Sequence, residues 1–354
     1  MTKPNFFVQE NFEKCPREHT LFVKQSDQGN ILIVSLYVND LIYTSNNEEM
    51  FESFKASMKS KFAMTDLGRM RYFLGVEIKQ SDSGIFIYQQ KSAQDIILKF
   101  GMENCNKVCS PIVPGNRLMK DENGKIVDAT VYRQLTGSLM YLLATRPDLA
   151  FSVCLIARYM KRPTKLHLAA AKRVLRYIQG TLNFGILYTR SNDCELKGRT
   201  DSDYAGDIDD RKSTSDYVYM YGNGAISWSS KKQAIVTLST TEVEYVAAAS
   251  CACQGVWLRR ILEQLKQTHM TGTTILCDNT SSIKLSKNPV MHGRCKHIDV
   301  RYHFLRDLIK DGTVEMSFCS SQDQIADIMI KALKLETFCN LRTRLGMCDL
   351  IEVT

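Results

Sequence analysis

Two apolar runs flank a Gly-Asn turn near the start of the chain: "HTLFVKQ" (His19–Gln25), "QGN", then "ILIVSLYV" (Ile31–Val38). Runs of that length around turn residues predict a β-hairpin. "NNEEMFESFKASMKSKF" (Asn46–Phe62) follows, with a polar start that can cap a helix and apolar residues at Met50, Phe51, Phe54 and Met58. That spacing predicts a helix. "RYFLGVEIKQSDSGIFIYQQ" (Arg71–Gln90) reads as a second hairpin around Ser81–Gly84, and "KSAQDIILKFGM" as a short helix stopped by Gly101.

The pattern then breaks. Residues 106–130 carry Pro111, Pro114, Gly115 and Gly124 and read as a crossing with little regular structure. Helices return at Thr145-Arg146-Pro147-Asp148, which has the form of a capped helix start. In "PTKLHLAAAKRVLRYIQG" (Pro163–Gly180), Leu168, Ala171, Leu175 and Ile178 share one face and Lys165, Lys172 and Arg176 another. From about Gly185 strand patterns dominate: "FGILYTRS", "CELKGRTDSDYAG", "SDYVYMYGNGAISWSS" and "QAIVTLST". A long helix follows, "TEVEYVAAASCACQGVWLRRILEQL", then strand "TTILCDN", helices "TSSIKLSKN" and "HIDVRYHFLRDLIKDG", strand "TVEMSFCSS" and helix "QDQIADIMIKAL". Strands in this order with helices packed on them predict an α/β (mixed α+β) layer domain.

Composition adds bounds. The 354 residues suffice for two or three domains. Lys and Arg outnumber Asp and Glu by 46 to 38, giving a net charge of +8, which is compatible with a nucleic-acid partner without specifying one. The start has no apolar signal segment, and no apolar run reaches the ~18 residues that a membrane span needs. The 12 Cys are scattered, with Cys251 and Cys253 the one tight pair and no second pair at zinc spacing. Reduced thiols in an intracellular protein, cytoplasmic or nuclear and not secreted, are expected.

Four acids stand at chemically suggestive places: Asp201 in the first strand of the second half, Glu244 early in the long helix, Asp278 at a strand end and Asp327 in the final helix. Each has an ordinary role open to it. Glu242 and Glu244 can offset a helix dipole, Asp278 can cap the next helix, and Asp201, Asp203, Asp207, Asp209 and Asp210 can form a solvated acidic turn. Converging at one sheet end, the four would repel unless hard divalent cations lay between them. Two such ions about 4 Å apart form the clamp for in-line phosphoryl displacement.

The motifs "TDSDYAGDIDDRKSTS", "GAISWSSKKQ", "LSTTEVEYVA", "ILCDNTSSIKLSKNP", "KHIDVRYHFLRD" and "QIADIMIKAL", with "YRQLTGSLMYLLATRPDLAF" and "RYFLGVEIKQ" upstream, closely resemble the C-terminal part of the Pol polyprotein of copia-type retrotransposons, over nearly the whole chain. The resemblance implies an incomplete reverse transcriptase palm and thumb over 1–110, a linker and helical connection over 111–190, a ribonuclease H-like domain over 191–335 and a tail over 336–354. It matches Asp201, Glu244, Asp278 and Asp327 to the family's metal-binding carboxylates, with two Mg²⁺ or Mn²⁺ ions as cofactors. The implied reaction is endonucleolytic hydrolysis of RNA in an RNA–DNA hybrid. Arg211, Ser213, Thr214, Lys232, Asn279 and His297 are the implied nucleic-acid contacts, through hydroxyls and amides toward 2′-OH groups and cations toward phosphates. Other Pol or Gag products are further partners to expect.

In the same family "LYVNDLIYTSN" matches the polymerase hairpin, usually Tyr-Val-Asp-Asp. Here Tyr37, Val38, Asn39 and Asp40 stand in that place, so Asn39 replaces the first acid. Asn keeps a carbonyl oxygen and loses the charge that holds a divalent ion. The chain also starts downstream of the motif with the partner Asp, so a silent polymerase portion is expected. Asp216 replaces a usual Gly, and Ile330 and Ala332 replace Thr and Pro; none of these removes a metal ligand. The rival expectation is a catalytically silent nucleic-acid-binding remnant.

Overall fold

The structure, a computed structural model, describes residues 3–115, 117–191, 194–267, 272–288 and 299–353, with side chains of 299–302 excepted. The chain forms two units, Met1–Met70 with Val256–Met270, and Arg71–Gly255 with Thr271–Thr354.

The first unit holds helix α1 (Lys3–Gln9), strands β1 (Glu13–Lys14), β2 (Leu21–Gln25), β3 (Ile31–Tyr37) and β4 (Asp40–Ser45), and helix α2 (Glu48–Lys61). The strands form one antiparallel meander in chain order. Alternation along β3 sends Leu32 and Val34 inward, where they meet Phe6, Phe7, Phe12, Phe22, Phe54 and Met58. The rings of this cluster pack edge-on or tilted at 4.7–5.9 Å for the Phe6–Phe7, Phe7–Phe12 and Phe7–Phe22 pairs, the arrangement aromatic quadrupoles favour. Asn47 caps α2, its side chain accepting from the Met50 N–H, as the polar start foretold.

The second unit begins with β5 (Tyr72–Phe73), β6 (Val76–Ser81) and β7 (Gly84–Tyr88). Four helices follow: α3 (Gln90–Lys99), α4 (Ala129–Leu142), α5 (Ala150–Ala157) and α6 (Lys165–Gly180). Strand β8 (Phe184–Thr189) returns to pair with β7. Next come β9 (Leu196–Arg199), β10 (Thr214–Tyr221), β11 (Gly224–Lys232), α7 (Thr240–Gln264, of which the part from Val256 on belongs to the first unit), β12 (Thr273–Cys277), α8 (Thr280–Lys287), α9 (Asp299–Lys310), β13 (Val314–Phe318), α10 (Leu335–Arg344) and β14 (Met347–Asp349). One sheet has the order β14-β8-β7-β6-β5 and the other β11-β10-β9-β12-β13. In the latter, β9, β10 and β11 are antiparallel, while β12 lies parallel to β9 and β13 parallel to β12. Three antiparallel strands, a helix, then two parallel strands joined through helices is a ribonuclease H-like mixed sheet.

One core links the helices to this sheet. Leu135, Leu139, Val153, Ile156, Val174, Leu175 and Ile178 pack in the same cluster as Val218, Ile325 and Ile328. Polar ties cross it. Trp228 donates to the Leu143 carbonyl at 3.1 Å, and Arg158 reaches Asp207 and Thr214. Buried Arg146 forks onto Asp148 at 2.8–2.9 Å, and Tyr177 donates to the same carboxylate at 2.6 Å.

Several expectations change in detail. Thr145 does not cap a helix: its hydroxyl donates to Gln89, and Pro147–Leu149 is a 3₁₀ turn leading into α5. "QAIVTLST" is not a strand, because its end is consumed in starting α7. The Ser239 hydroxyl accepts from the Glu242 N–H and the Glu242 carboxylate from the Leu238 N–H, a reciprocal pair in the manner of a capping box. Asp327 sits in a 3₁₀ turn, Ile325–Met329, rather than a long helix; all five residues are buried, so no solvent face exists for an amphipathic helix to present. Residues 336–354, read as a tail, supply α10 and the edge strand β14, and Phe338, Leu341 and Met347 enter the core.

Candidate metal centre

The site stands at the C-terminal ends of β9 and β12, two parallel neighbours whose ends point the same way. Asp201 follows β9 and Asp278 follows β12. Glu244 comes from the first turns of α7, which lies close on the sheet because the helix face is small: Ala247, Ala248, Ala249 and Ala252 are all buried there. Tyr219 of β10 fills the remaining gap. A Cβ on Gly198 or Gly255 would come within 2.8 or 2.2 Å of that side chain, and its hydroxyl donates to the Cys251 carbonyl at 2.8 Å. Asp327 is carried by the 3₁₀ turn, tethered where the Gln324 amide donates to the Thr200 carbonyl at 2.8 Å, one residue before Asp201.

The four carboxylates of the sequence reading meet as a chain. Asp278 and Glu244 offer ligand atoms within 4.8 Å of one another, together with the Cys277 sulfur. Asp201 interacts with Glu244 and shares a hydrogen bond with Asp327. Asp201, Glu244 and Asp327 are buried, with 5–8 % of their surface exposed. Asp278 is half-buried and accepts from the Ser321 hydroxyl at 2.9 Å.

Burial is the largest force on the Asp201 carboxyl, followed by its hydrogen bond to Asp327 and the charges of Glu244 and Asp327; together they push it up to about 10. Burial and the Asp278 charge push Glu244 up to about 7, with Ser202 and Asp201 opposing. Burial and the neighbouring carboxylates hold the Cys277 thiol protonated. Among the described residues, the Lys331 ammonium lies 2.7 Å from Asp327 and 3.7 Å from Asp201. Burial works against its charge, and the Asp327 and Asp201 carboxylates more than restore it. Four carboxylates, three of them buried, beside a thiol held protonated and with an ammonium at one end, offer the oxygen donors that hard divalent cations such as Mg²⁺ or Mn²⁺ prefer.

The expected nucleic-acid contacts are placed unevenly. Arg211 is exposed in the turn before β10, with φ +56°. Ser213 and Thr214 are buried and used internally: the Ser213 hydroxyl accepts from the Ala205 N–H and the Thr214 hydroxyl from Arg158. Lys232 is held at 2.7 Å by both Asp207 and Asp210. Asn279 caps α8, its side-chain oxygen accepting from the Ser282 N–H. His297 lies outside the described residues.

In the first unit, Tyr37 ends β3, Asp40 begins β4, and Val38-Asn39 is the two-residue turn between them. Val38 has φ +52° and Tyr37 and Val38 are exposed, so a β-branched residue holds a left-handed turn conformation on the surface.

Sequence reasoning missed Lys331, Gln324 and Cys277, and noted Asp216 only as a departure from the family's Gly. Lys331 had a readable signal, a cation four residues after Asp327.

Comparison with known proteins covers both units. A family model described as reverse transcriptase (RNA-dependent DNA polymerase) matches residues 2–114. A retrovirus-related Pol polyprotein from transposon RE1 of Arabidopsis thaliana is 34% identical over 97% of this chain, which spans 23% of that polyprotein's length. The putative transposon Ty5-1 protein of Saccharomyces cerevisiae is 30% identical over 66% of this chain and 76% of its own. Among solved structures, LC11-RNase H1 in complex with an RNA/DNA hybrid aligns with 38% of this chain and 94% of its own, at 11% identity and a TM-score of 0.28, so the fold assignment rests on strand order instead. With sequence similarity running through both units, the chain belongs to the copia-type retrotransposon Pol polyprotein family.

Proposed function

We propose that the second unit hydrolyses the RNA strand of RNA–DNA hybrids with the help of divalent cations, and that the polymerase hairpin of the first unit is silent. The observation that carries the nuclease reading is the meeting of Asp201, Glu244, Asp278 and Asp327 at one sheet end.

Bound there, a pair of Mg²⁺ or Mn²⁺ ions would supply an activated water and a counter-charge for the leaving oxygen. The protein's own part is placement. Asp201, between Glu244 and Asp327, is the central ligand of the set. Gln324 and Ser321 fix the backbone and carboxylate orientations of the outer acids. Lys331 compensates negative charge at the Asp327 end. The exposed Arg211 is the candidate phosphate contact, and Asn279, beside Asp278, the candidate 2′-OH contact. Polymerase silence rests on Asn39, which offers a neutral oxygen where a two-metal transfer needs a carboxylate.

A second reading, hybrid binding without cleavage, is favoured by one feature, the buried Asp216 opposite Asp201. One experiment separates them. The chain is incubated with Mg²⁺ and a hybrid labelled on its RNA strand, beside Asp278→Asn. Shortened RNA with 3′-OH ends, lost in the variant, supports the nuclease; retained binding with intact RNA supports the silent form.

A further inference from the structure

The strand register at the site has an irregular rung. Val218 pairs with Arg199, Ser215 bridges Ser202, and the Asp203 N–H donates to the Thr214 carbonyl, so Asp201 stands directly opposite Asp216. One half of that rung is ordinary: the Asp216 N–H donates to the Asp201 carbonyl at 3.1 Å. The other half is rerouted. The Asp201 N–H donates to Asp216 Oδ1 at 2.8 Å, and the Asp216 carbonyl accepts the Thr200 hydroxyl at 2.8 Å instead.

Residues directly opposite on antiparallel strands present their side chains to the same face of a sheet. Asp216 therefore belongs on the face that carries the Asp201 carboxyl, and the charges of Asp201, Glu244 and Asp327 all act on it. It is 1% exposed, and its Oδ2 has no hydrogen-bond partner. Lys331, the nearby ammonium, is engaged with Asp327 and Asp201. A buried carboxylate oxygen with no hydrogen-bond partner, under the charges of three further carboxylates, is destabilising as it stands. A cation between them would resolve both the missing partner and the repulsion.

We propose that Asp216 is a fifth carboxylate of the metal centre, its Oδ2 supplying an oxygen ligand beside Asp201 to a hard divalent cation. This inference rests on the cation-binding reading of Asp201, Glu244, Asp278 and Asp327. It makes the centre of this chain more acidic than four ligands would, and it couples cation uptake to the stability of the β9–β10 pair. In the metal-free chain Asp216 is a liability; in the loaded chain it is a ligand.

Mn²⁺ is the probe, measured by calorimetry and by the thermal midpoint with and without the ion, on the full chain and on Asp216→Asn and Asp216→Ala. Asn keeps the Oδ1 acceptor for the Asp201 N–H and removes the charge. The expected result is a metal-free midpoint that rises in the Asn variant, Mn²⁺ affinity weaker by about tenfold or more, and a smaller Mn²⁺-induced shift. The Ala variant, which also loses the Oδ1 bond, is expected to weaken Mn²⁺ binding at least as much. Undiminished Mn²⁺ affinity in the Asn variant, with uptake by the unaltered chain intact, overturns the role of Asp216 alone. No Mn²⁺ uptake by the unaltered chain overturns the four-carboxylate reading along with it.

Discussion

Two acidic motifs of this chain match places where the family is expected to hold metal, and their surroundings differ sharply. Tyr37–Asp40 is an exposed hairpin tip, where one acid has become Asn39 and the backbone turn persists. Asp201, Glu244, Asp278 and Asp327 come from two strand ends, a helix and a 3₁₀ turn, and three of them are buried. A hairpin needs register and turn chemistry, and neither depends on the charge at position 39. The hairpin can therefore lose its chemistry and keep its shape. The second site has no such independence: its carboxylates are held in the sheet ends and the packed core beneath them, and their mutual repulsion must be answered by Lys331, by protons or by metal.

The sharpest way to break the contrast is substitution at the buried set. Asp201→Asn, Glu244→Gln and Asp278→Asn should each lower hybrid cleavage by about 10²-fold or more, as expected for removing a group that stabilises transition-state charge. Asn39→Asp should leave that rate unchanged. A cleavage assay on the RNA strand decides it; equal rates in any of the three acid variants would remove that residue from the machinery.

A stability effect comes next. Arg146→Ala strands the buried Asp148 and should cost about 3–5 kcal/mol in denaturant unfolding. Because the helices and the ribonuclease H-like sheet share one core, the loss should lower cleavage and the sheet's unfolding midpoint together. Separate transitions would show that the helices fold apart from the site.

The pH profile sharpens the contrast further. Asp201 and Glu244 have folded-state values raised to about 10 and about 7, above ordinary carboxylates. Folding therefore favours their protonated forms, and this stabilising contribution is complete below about pH 4. It is lost as pH rises through about 7 and on toward 10. The metal-free chain should melt at falling temperature from pH 5 to pH 9, and Mg²⁺ or Mn²⁺ should flatten or reverse that slope, since the ion takes the place of the protons. Thermal scans at both pH values, with and without the ion, measure it; parallel slopes would contradict cation uptake at these groups.

The smallest effect belongs to the hairpin. Asn39→Asp sits in an exposed turn and should change stability by no more than about 0.5 kcal/mol. It should also fail to confer primer extension. Extension by that variant would show that the first unit retains a complete polymerase site.

Much of this was legible in the sequence where the signal is local. The hairpins, the Asn47 cap and the strand end at Asp278 follow from turn residues and apolar runs, whereas Asp201, read as lying in a strand, follows β9. "QIADIMIKAL" misled because its apolar spacing suits a helix, whereas the segment is buried all round and held by Gln324 to the Thr200 carbonyl. "QAIVTLST" misled because β-branched composition does not register the capping demands of the helix after it. Asp216 was legible only as a departure from the family's Gly: its place opposite Asp201 depends on a register between β9 and β10 that spans an intervening loop. The acidic turn of that loop is likewise not simply solvated, since Asp207 is buried between Arg158 and Lys232.

Cation uptake by the unaltered chain is the most direct test of the buried centre. Mn²⁺ is added while the electron paramagnetic resonance signal of the free ion is followed, for the natural sequence and for Asp201→Asn. Loss of free-ion signal with the natural chain, and uptake at least about tenfold weaker in the variant, is the expected result. Free-ion signal that falls equally in both, or in neither, would contradict a metal centre built on Asp201.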